Sequence, residues 1–494
     1  MKYISTRGKA SADSSSAAVI TGIAPDGGLF VPEKIPRVSM SEISGMQEMP
    51  YTGRAYTILS KFYDDMPTHE LVQCIGGAYT KNFNTNPTPL RTLTENLSVL
   101  ELWHGPTSAF KDMALQLLPH IMVRAVKELG IQRRILILTA TSGDTGKAAL
   151  EAFSGVSGTS VCVYYPAGGV SGIQMLQMHD AIGGNANVVA VEGNFDDTQT
   201  GVKQIFADKE TAGKLDDMGY MLSSANSINV GRLLPQIVYY FSAYCDLVSG
   251  RRIHMGDAVD FVVPTGNFGN ILAGWYAKQM GLPVGKLVCA SNTNKILYDF
   301  INTGAYDANR GFFKTISPSM DILISSNLER LLFEASGRDS GIINEITSNL
   351  KKDSAYSVTD AMLGNITHDF AAGWADDTET RHQISKVWNE YHYLIDPHTA
   401  VAFSVLEKAY KPVRQTVILS TANPYKFAGD VLPALGGQPG RDDFESIDKL
   451  EEITGIKVPI NLSSIRFRKV SDAARCGKNQ MREALLSWLV SGVD

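Results

Sequence analysis

The sequence predicts an α/β protein built from two doubly wound, mostly parallel sheets. Seven short apolar runs recur between residues 98 and 421, each followed by a small-residue turn and a longer helical stretch. The runs are SVLELW (98–103), RILILTA (134–140), SVCVYYP (160–166), NVVAVEG (187–193), DFVVPTG (260–266), KLVCAS (286–291) and TVILST (416–421). They are continuously apolar instead of alternating, as strands buried on both faces are. The helical stretches between them make parallel strand–helix–strand units. In such sheets ligands bind beyond the carboxyl ends of the strands, so the strand-end turns are where chemistry is expected.

At 494 residues the chain exceeds the size of one hydrophobic core. Residues 1–90 lack the strand–helix rhythm. They hold turn signals such as Pro25-Asp26-Gly27-Gly28 and helical stretches around 54–82, and are expected to form an N-terminal subdomain. Residues 91–235 are expected to form a small α/β domain and 236–494 a large one. Within the latter, residues 300–400 are polar and helical in pattern with no buried strand run, and read as a helical insertion. The last 60 residues, with GGQPGRDD and a basic RFRK, have no assigned role.

Composition excludes several classes. Net charge is −6 with a pI near 5.9, which argues against a general nucleic-acid surface. Any anionic ligand must therefore be held by a local site and not by the overall field. The five cysteines are scattered, with no C-x-x-C, and the nine histidines include no H-x-x-x-H pair. No disulfide framework and no metal site are expected. The N-terminus has no apolar signal-peptide core, and no run reaches the length of a membrane span. A cytoplasmic protein without membrane partners is expected, with monomer and homodimer both left open.

Four strand-end turns carry candidate groups. In VVPTGNFGNILAGW a buried strand ends at Pro264, and Gly266-Asn267-Phe268-Gly269-Asn270 leads into an apolar helix. Amides at a helix N-terminus favour an anion, and glycines let the backbone approach a phosphate closely. A plain glycine-capped turn would look the same. In LTATSGDTGKAAL the pair Gly146-Lys147 resembles a nucleotide P-loop, but Thr141 replaces the first glycine and Ala148 the magnesium-binding hydroxyl. What remains is Thr141, Ser142, Gly143, Asp144 and Thr145 at a helix start, with Asp144 or Thr145 as the expected N-cap. Asn226, Ser227 and Arg232 could bind an oxyanion through charge-assisted bonds. Ser420 and Thr421 end the last run.

Lys111, in WHGPTSAFKDMALQLLP, follows the turn Gly105-Pro106-Thr107-Ser108 and stands at the start of an apolar helix. Most lysines are snorkelling surface residues. Near a helix N-terminus, however, positive potential favours the neutral amine, the form that attacks a carbonyl. A lysine, a phosphate loop and an anion pocket on one sheet edge point to pyridoxal 5′-phosphate (PLP), with the lysine forming an imine and the glycine-rich loop holding the phosphate.

HGPTSAFKD, ATSGDTGKAAL, PTGNFGNI, MDILISSNLER and STANPYKF, in that order, resemble the threonine synthase family of fold-type II (tryptophan synthase β-like) PLP enzymes. YISTRG and DGGLFVPE resemble the N-terminal part of its long bacterial and fungal form. The resemblance implies that Lys111 carries PLP and serves as general base. It implies that Gly266, Asn267, Phe268, Gly269 and Asn270 wrap the PLP phosphate, that Thr421 faces the pyridine nitrogen and that Asp144 lies near the ring hydroxyl. Thr141, Ser142, Gly143 and Thr145 would meet the substrate carboxylate, and Asn226, Ser227 and Arg232 its phosphate. Asn423 departs from the His or Ser common at that position in the family. The implied reaction converts O-phospho-L-homoserine and water to L-threonine and phosphate. A fold-type II enzyme of β-replacement or dehydration would share Lys111 and the glycine-rich loop but not need the second phosphate grip.

Overall fold

The computed structural model describes residues 1–83, 86–141, 143–170, 172–468 and 471–492, the side chains of Phe195 and Asp196 excepted. All seven apolar runs form strands, sorted into two sheets. The larger runs Phe370–Trp374, Val284–Ser291, Val259–Pro264, Thr416–Ser420, Leu97–Glu101 and Leu90–Thr92, parallel except for the last pairing. The smaller runs Ala474–Gly477, Ala186–Glu192, Thr159–Pro166, Arg134–Ala140 and Tyr220–Ser223, parallel throughout. Every residue of Thr159–Pro166 and of Thr416–Ser420 is buried, as strands covered by helices on both faces require.

The chain crosses between the sheets more often than the expected division at residues 90 and 235 provides. Leu97–Glu101, assigned to the small domain, pairs with Thr416–Ser420 in the large sheet. Ala474–Gly477, assigned to the large domain, pairs with Ala186–Glu192 in the small one. The 300–400 segment is not wholly a helical insertion: Phe370–Trp374 extends the large sheet beside Val284–Ser291. Its FAAGW sequence is half-buried and small, so it lacks the apolar signature of an interior strand.

Residues 1–83 contain a three-stranded antiparallel sheet (Tyr3–Ser5, Ser11–Ala12, Phe30–Pro32) and helices that include Tyr51–Leu59 and Thr68–Tyr79. Thr68–Tyr79 packs on Leu118–Glu128, and Tyr51–Leu59 packs on Val230–Ser249, a 20-residue helix that also lies against Gly269–Met280. Arg54 fastens the contact. Its guanidinium donates to Asp246 Oδ1 at 2.6 Å and Ser242 Oγ at 2.8 Å, and to the carbonyls of Met46 at 3.0 Å and Gln47 at 2.7 Å. Burial pushes the Asp246 carboxyl up, with the Arg54 charge opposing, so the pair is interdependent. Arg54→Ala strands that carboxylate and should cost about 3 kcal/mol of stability, read as a lower denaturant midpoint.

Candidate functional site

The site lies where the carboxyl ends of both sheets meet. After Glu101 the chain stays tied to the neighbouring strand: Leu102 N donates to Ser420 O at 3.0 Å and Phe110 N to Thr421 O at 2.9 Å, with a bridge between Ala109 and Ala422. Asn423 N closes the pairing by donating to Ser108 O at 3.0 Å. Ser108 takes a left-handed φ of 55°, which turns the chain into Lys111 at the mouth of the short helix Asp112–Leu115. Phe110, the residue before Lys111, is thus bonded to Thr421.

Lys111 is 13% exposed, and its Nζ is 3.8 Å from Asp144 Oδ2. The nearer interaction of Asp144 is with Lys426, whose Nζ donates to Oδ1 at 2.7 Å and to Thr107 O at 2.9 Å. Burial pulls the Lys111 amine down to about 8; Asp144 opposes this, while Lys426 and Arg232 push it lower. The sequence argument credited the helix N-terminus, but that helix is four residues long and burial dominates. Burial also disfavours the Asp144 charge, yet Lys426 and Lys111 outweigh it and hold the carboxyl well below its usual range. Asp112 shows the opposite balance. Burial lifts it to about 6, although Thr107 donates to it from N at 2.8 Å and from Oγ1 at 2.7 Å.

The turn at 141–145 differs from the expected cap. Gly143 is the N-cap, at φ 149°, and Asp144 is already helical. The Thr141 hydroxyl accepts from Gly143 N at 2.9 Å and Gly146 N at 3.0 Å, so it organises the turn. Thr145 follows in the first helical turn, half-buried, and Ser142 lies outside the described residues.

In the glycine-rich turn, Phe268 adopts a left-handed φ of 63° and caps the helix Gly269–Met280. A Cβ on Gly266 would lie 2.7 Å from the Ser319 carbonyl oxygen, so this position requires glycine. The turn is held from outside by 325–327. Ser325 Oγ donates to Gly266 O at 2.8 Å, Ser326 Oγ to Asn267 Oδ1 at 3.3 Å, and Asn327 Nδ2 to Asn267 O at 3.0 Å. Ser227 Oγ meets Ser326 Oγ at 3.2 Å, which joins the second candidate anion loop to the first. Arg232 is buried and donates to Ala225 O at 2.9 Å, while its Nε has no partner. Asn226 accepts from Thr139 Oγ1 at 3.3 Å. The Asn270 Oδ1 accepts from Tyr239 at 2.6 Å and Tyr240 at 3.0 Å, while its buried Nδ2 is unpartnered.

A family model described as "Threonine synthase N terminus" matches residues 2–79, and one described as "Pyridoxal-phosphate dependent enzyme" matches residues 82–350. Threonine synthase of Pseudomonas aeruginosa is 39% identical over 440 residues, 89% of this chain and 91% of its own. The crystal structure of PLP-bound threonine synthase from Brucella melitensis is 38% identical with a TM-score of 0.89, covering 99% of this chain and 98% of that one. The chain belongs to the threonine synthase family. Threonine synthase-like 1 of Homo sapiens is 43% identical over 438 residues; the chain spans 58% of that relative's length.

The family's cofactor, PLP, fits the residues present. Its aldehyde needs an amine that loses its proton near neutrality, and Lys111 is one. Its phosphate needs unpaired donors. The first amides of Gly269–Met280 have no acceptor within the helix, and Asn270 Nδ2 is unpaired beside them. Sequence reasoning on the threonine synthase motifs passed over Lys426, Ser325, Ser326 and Asn327, although STANPYKF and MDILISSNLER contain them. The signal was available in Lys426, a lysine between aromatic residues at a strand end. Asn423, left without a role, caps the next turn by accepting from Tyr425 N at 3.0 Å. Beneath the site His398 Nε2 accepts from Ser319 N at 3.1 Å, which puts its proton on Nδ1, 2.6 Å from Asp396 Oδ2.

The sign of the Lys111 shift sets a pH dependence. Only the neutral amine attacks an aldehyde, so its reaction with PLP should accelerate as pH rises and level off above about 8. Asp144→Asn removes the one neighbour that strongly supports the charge, and should move that midpoint lower. Stopped-flow absorbance across a pH series checks both.

Proposed function

We propose that this protein converts O-phospho-L-homoserine and water to L-threonine and phosphate. The observation that carries the reading is that the charge of Arg232 bears on the largely buried Lys111, and that the 226–232 loop is joined through Ser326 to the 266–270 turn, which offers one candidate cradle for each phosphate the reaction requires. Fold-type II β-replacement or dehydration of an unphosphorylated amino acid needs only the first. The free, buried state of all five cysteines supports a reducing, cytoplasmic location.

Lys111 would hold PLP, with the 266–270 amides and Asn270 on its phosphate, Thr421 at the pyridine nitrogen and Asp144 at the ring hydroxyl. Bound PLP supplies an acceptor for the electron pair left when a carbon next to the substrate amine loses its proton. The Lys111 amine takes the proton from substrate Cα and returns it at the end, a task suited to a group titrating near neutrality. Thr141, Gly143 and Thr145, with Ser142, orient the substrate carboxylate. Asn226, Ser227 and Arg232 grip the phosphate and draw off the charge that develops as its bond to Cγ breaks. A proton moves from Cβ, another arrives at Cγ, and water delivers hydroxyl to Cβ. Thr421, a neutral hydroxyl, would meet the pyridine nitrogen and offer it no carboxylate to hold a proton there.

Threonine and phosphate release from O-phosphohomoserine, measured against serine and threonine as alternative substrates, tests the reading; turnover of only the latter pair overturns it. Lys111→Ala should abolish both the visible imine absorbance and turnover while the circular dichroism stays intact. Arg232→Ala should weaken O-phosphohomoserine binding by about 1.5–3 kcal/mol, the value of a hydrogen bond to a charged group, and unchanged affinity would place the substrate phosphate elsewhere.

A further inference from the structure

Arg330 is the largest fully buried side chain among the described residues. Its Nε donates to Phe30 O at 3.0 Å, one terminal nitrogen to Asn327 Oδ1 at 2.5 Å and the other to Ile228 O at 2.6 Å. All three acceptors are neutral. The adjacent Glu329 does not pair with it: that carboxylate accepts from Thr6 Oγ1 at 2.5 Å and from Arg7 at 3.0 Å. Among the described residues no carboxylate makes an ion pair with Arg330. A buried charge left in this state is costly unless something balances it.

Two of the three acceptors place that charge between the candidate anion loops. Asn327 holds Asn267 O through its N at 3.1 Å and its Nδ2 at 3.0 Å, so Arg330 is one residue removed from the glycine-rich turn. Ile228 follows Ser227 within the second loop, so Arg330 bonds that loop directly. Arg232 grips the other side of that loop through Ala225 O, and it too lacks an ion-pair partner among the described residues. The 225–228 loop is thus bracketed by two buried guanidiniums. A phosphate monoester carries about −1.5 to −2 charge at neutral pH, which complements them.

We propose that Arg330 is a positioning residue for both phosphate groups: it touches neither, its three bonds set the spacing of the two loops, and bound phosphate balances its charge. The bond to Phe30 ties the N-terminal sheet to that spacing. The inference rests on reading 266–270 as the cradle of the PLP phosphate.

The test compares two ligands on the full-length chain after cofactor removal: PLP and pyridoxal, which has the same aldehyde and no phosphate. Wild-type protein should prefer PLP strongly, as read from absorbance titrations. Arg330→Met should reduce the PLP-to-pyridoxal affinity ratio at least tenfold, and Arg330→Lys, which keeps the charge but cannot reach all three acceptors, should fall between. A purely structural role would weaken both ligands equally and leave the ratio unchanged, which overturns the assignment. Should Arg330→Met not fold, Arg330→Lys decides alone: a reduced ratio supports the assignment and an unchanged one overturns it. A wild-type chain without preference for PLP would overturn the cradle reading and the Arg330 assignment with it.

Discussion

One carboxylate joins the two halves of the site. Asp144 comes from the helix that follows a small-sheet strand, while Lys111 and Lys426 both follow strands of the large sheet. The two lysines compete for it unequally. Lys426 is in hydrogen-bond contact at 2.7 Å and Lys111 stands off at 3.8 Å. A tight pair would hold the Lys111 amine protonated through Coulomb attraction in a low-dielectric setting. Because Lys426 takes that place, burial prevails at Lys111 and its amine falls to about 8. Lys426 therefore holds Asp144 as an anion and leaves the Lys111 amine less firmly tied to it.

This arrangement depends on the order in which the chain visits the sheets. Leu97–Glu101 lies in the large sheet, the next four sheet strands form the small one, the chain returns for Val259–Ser420, and Ala474–Gly477 ends in the small sheet. The loop carrying Lys111 is thus a crossing point, tied on one side to Thr421 and Asn423. The last crossing supports it from above. Asn461 donates to Pro106 O at 2.7 Å and Ser108 Oγ at 2.8 Å, bracing the one non-glycine left-handed residue of the loop. The C-terminal 60 residues, to which the sequence assigned nothing, hold the lysine loop in place and add an edge to the small sheet.

What could be read from the sequence was what burial writes into it. Interior strands of parallel sheets are apolar on both faces, and all seven such runs were legible. The strands of these two sheets that were overlooked are marginal ones: Leu90–Thr92, Tyr220–Ser223, Phe370–Trp374 and Ala474–Gly477 each end a sheet, so solvent relaxes their composition. The same division runs through the site. Lys111 and the glycine-rich turn announce themselves locally, by a cation among apolar neighbours and by glycines before a helix. Asn327, Arg330 and His398 do not, because their importance comes from partners that are far away in the chain. Arg330 meets Phe30 across 300 positions, and no window of sequence contains that contact.

The charge distribution follows from the same logic. The chain as a whole is acidic, with a net charge of −6, yet Lys111, Lys426 and Arg232 gather in the site cleft, with Arg330 buried behind the loop that carries Ile228. Facing them are Asp144, which is fully ionised, and Asp112, which burial lifts to about 6. The cleft is therefore locally positive inside a protein whose outer field repels anions. Such a surplus of buried cations is unstable as an isolated arrangement, and no surface charge can screen it at that depth. Under the proposed reaction, the two phosphate groups would supply that negative charge from within, and an unphosphorylated amino acid would leave half of it unfilled.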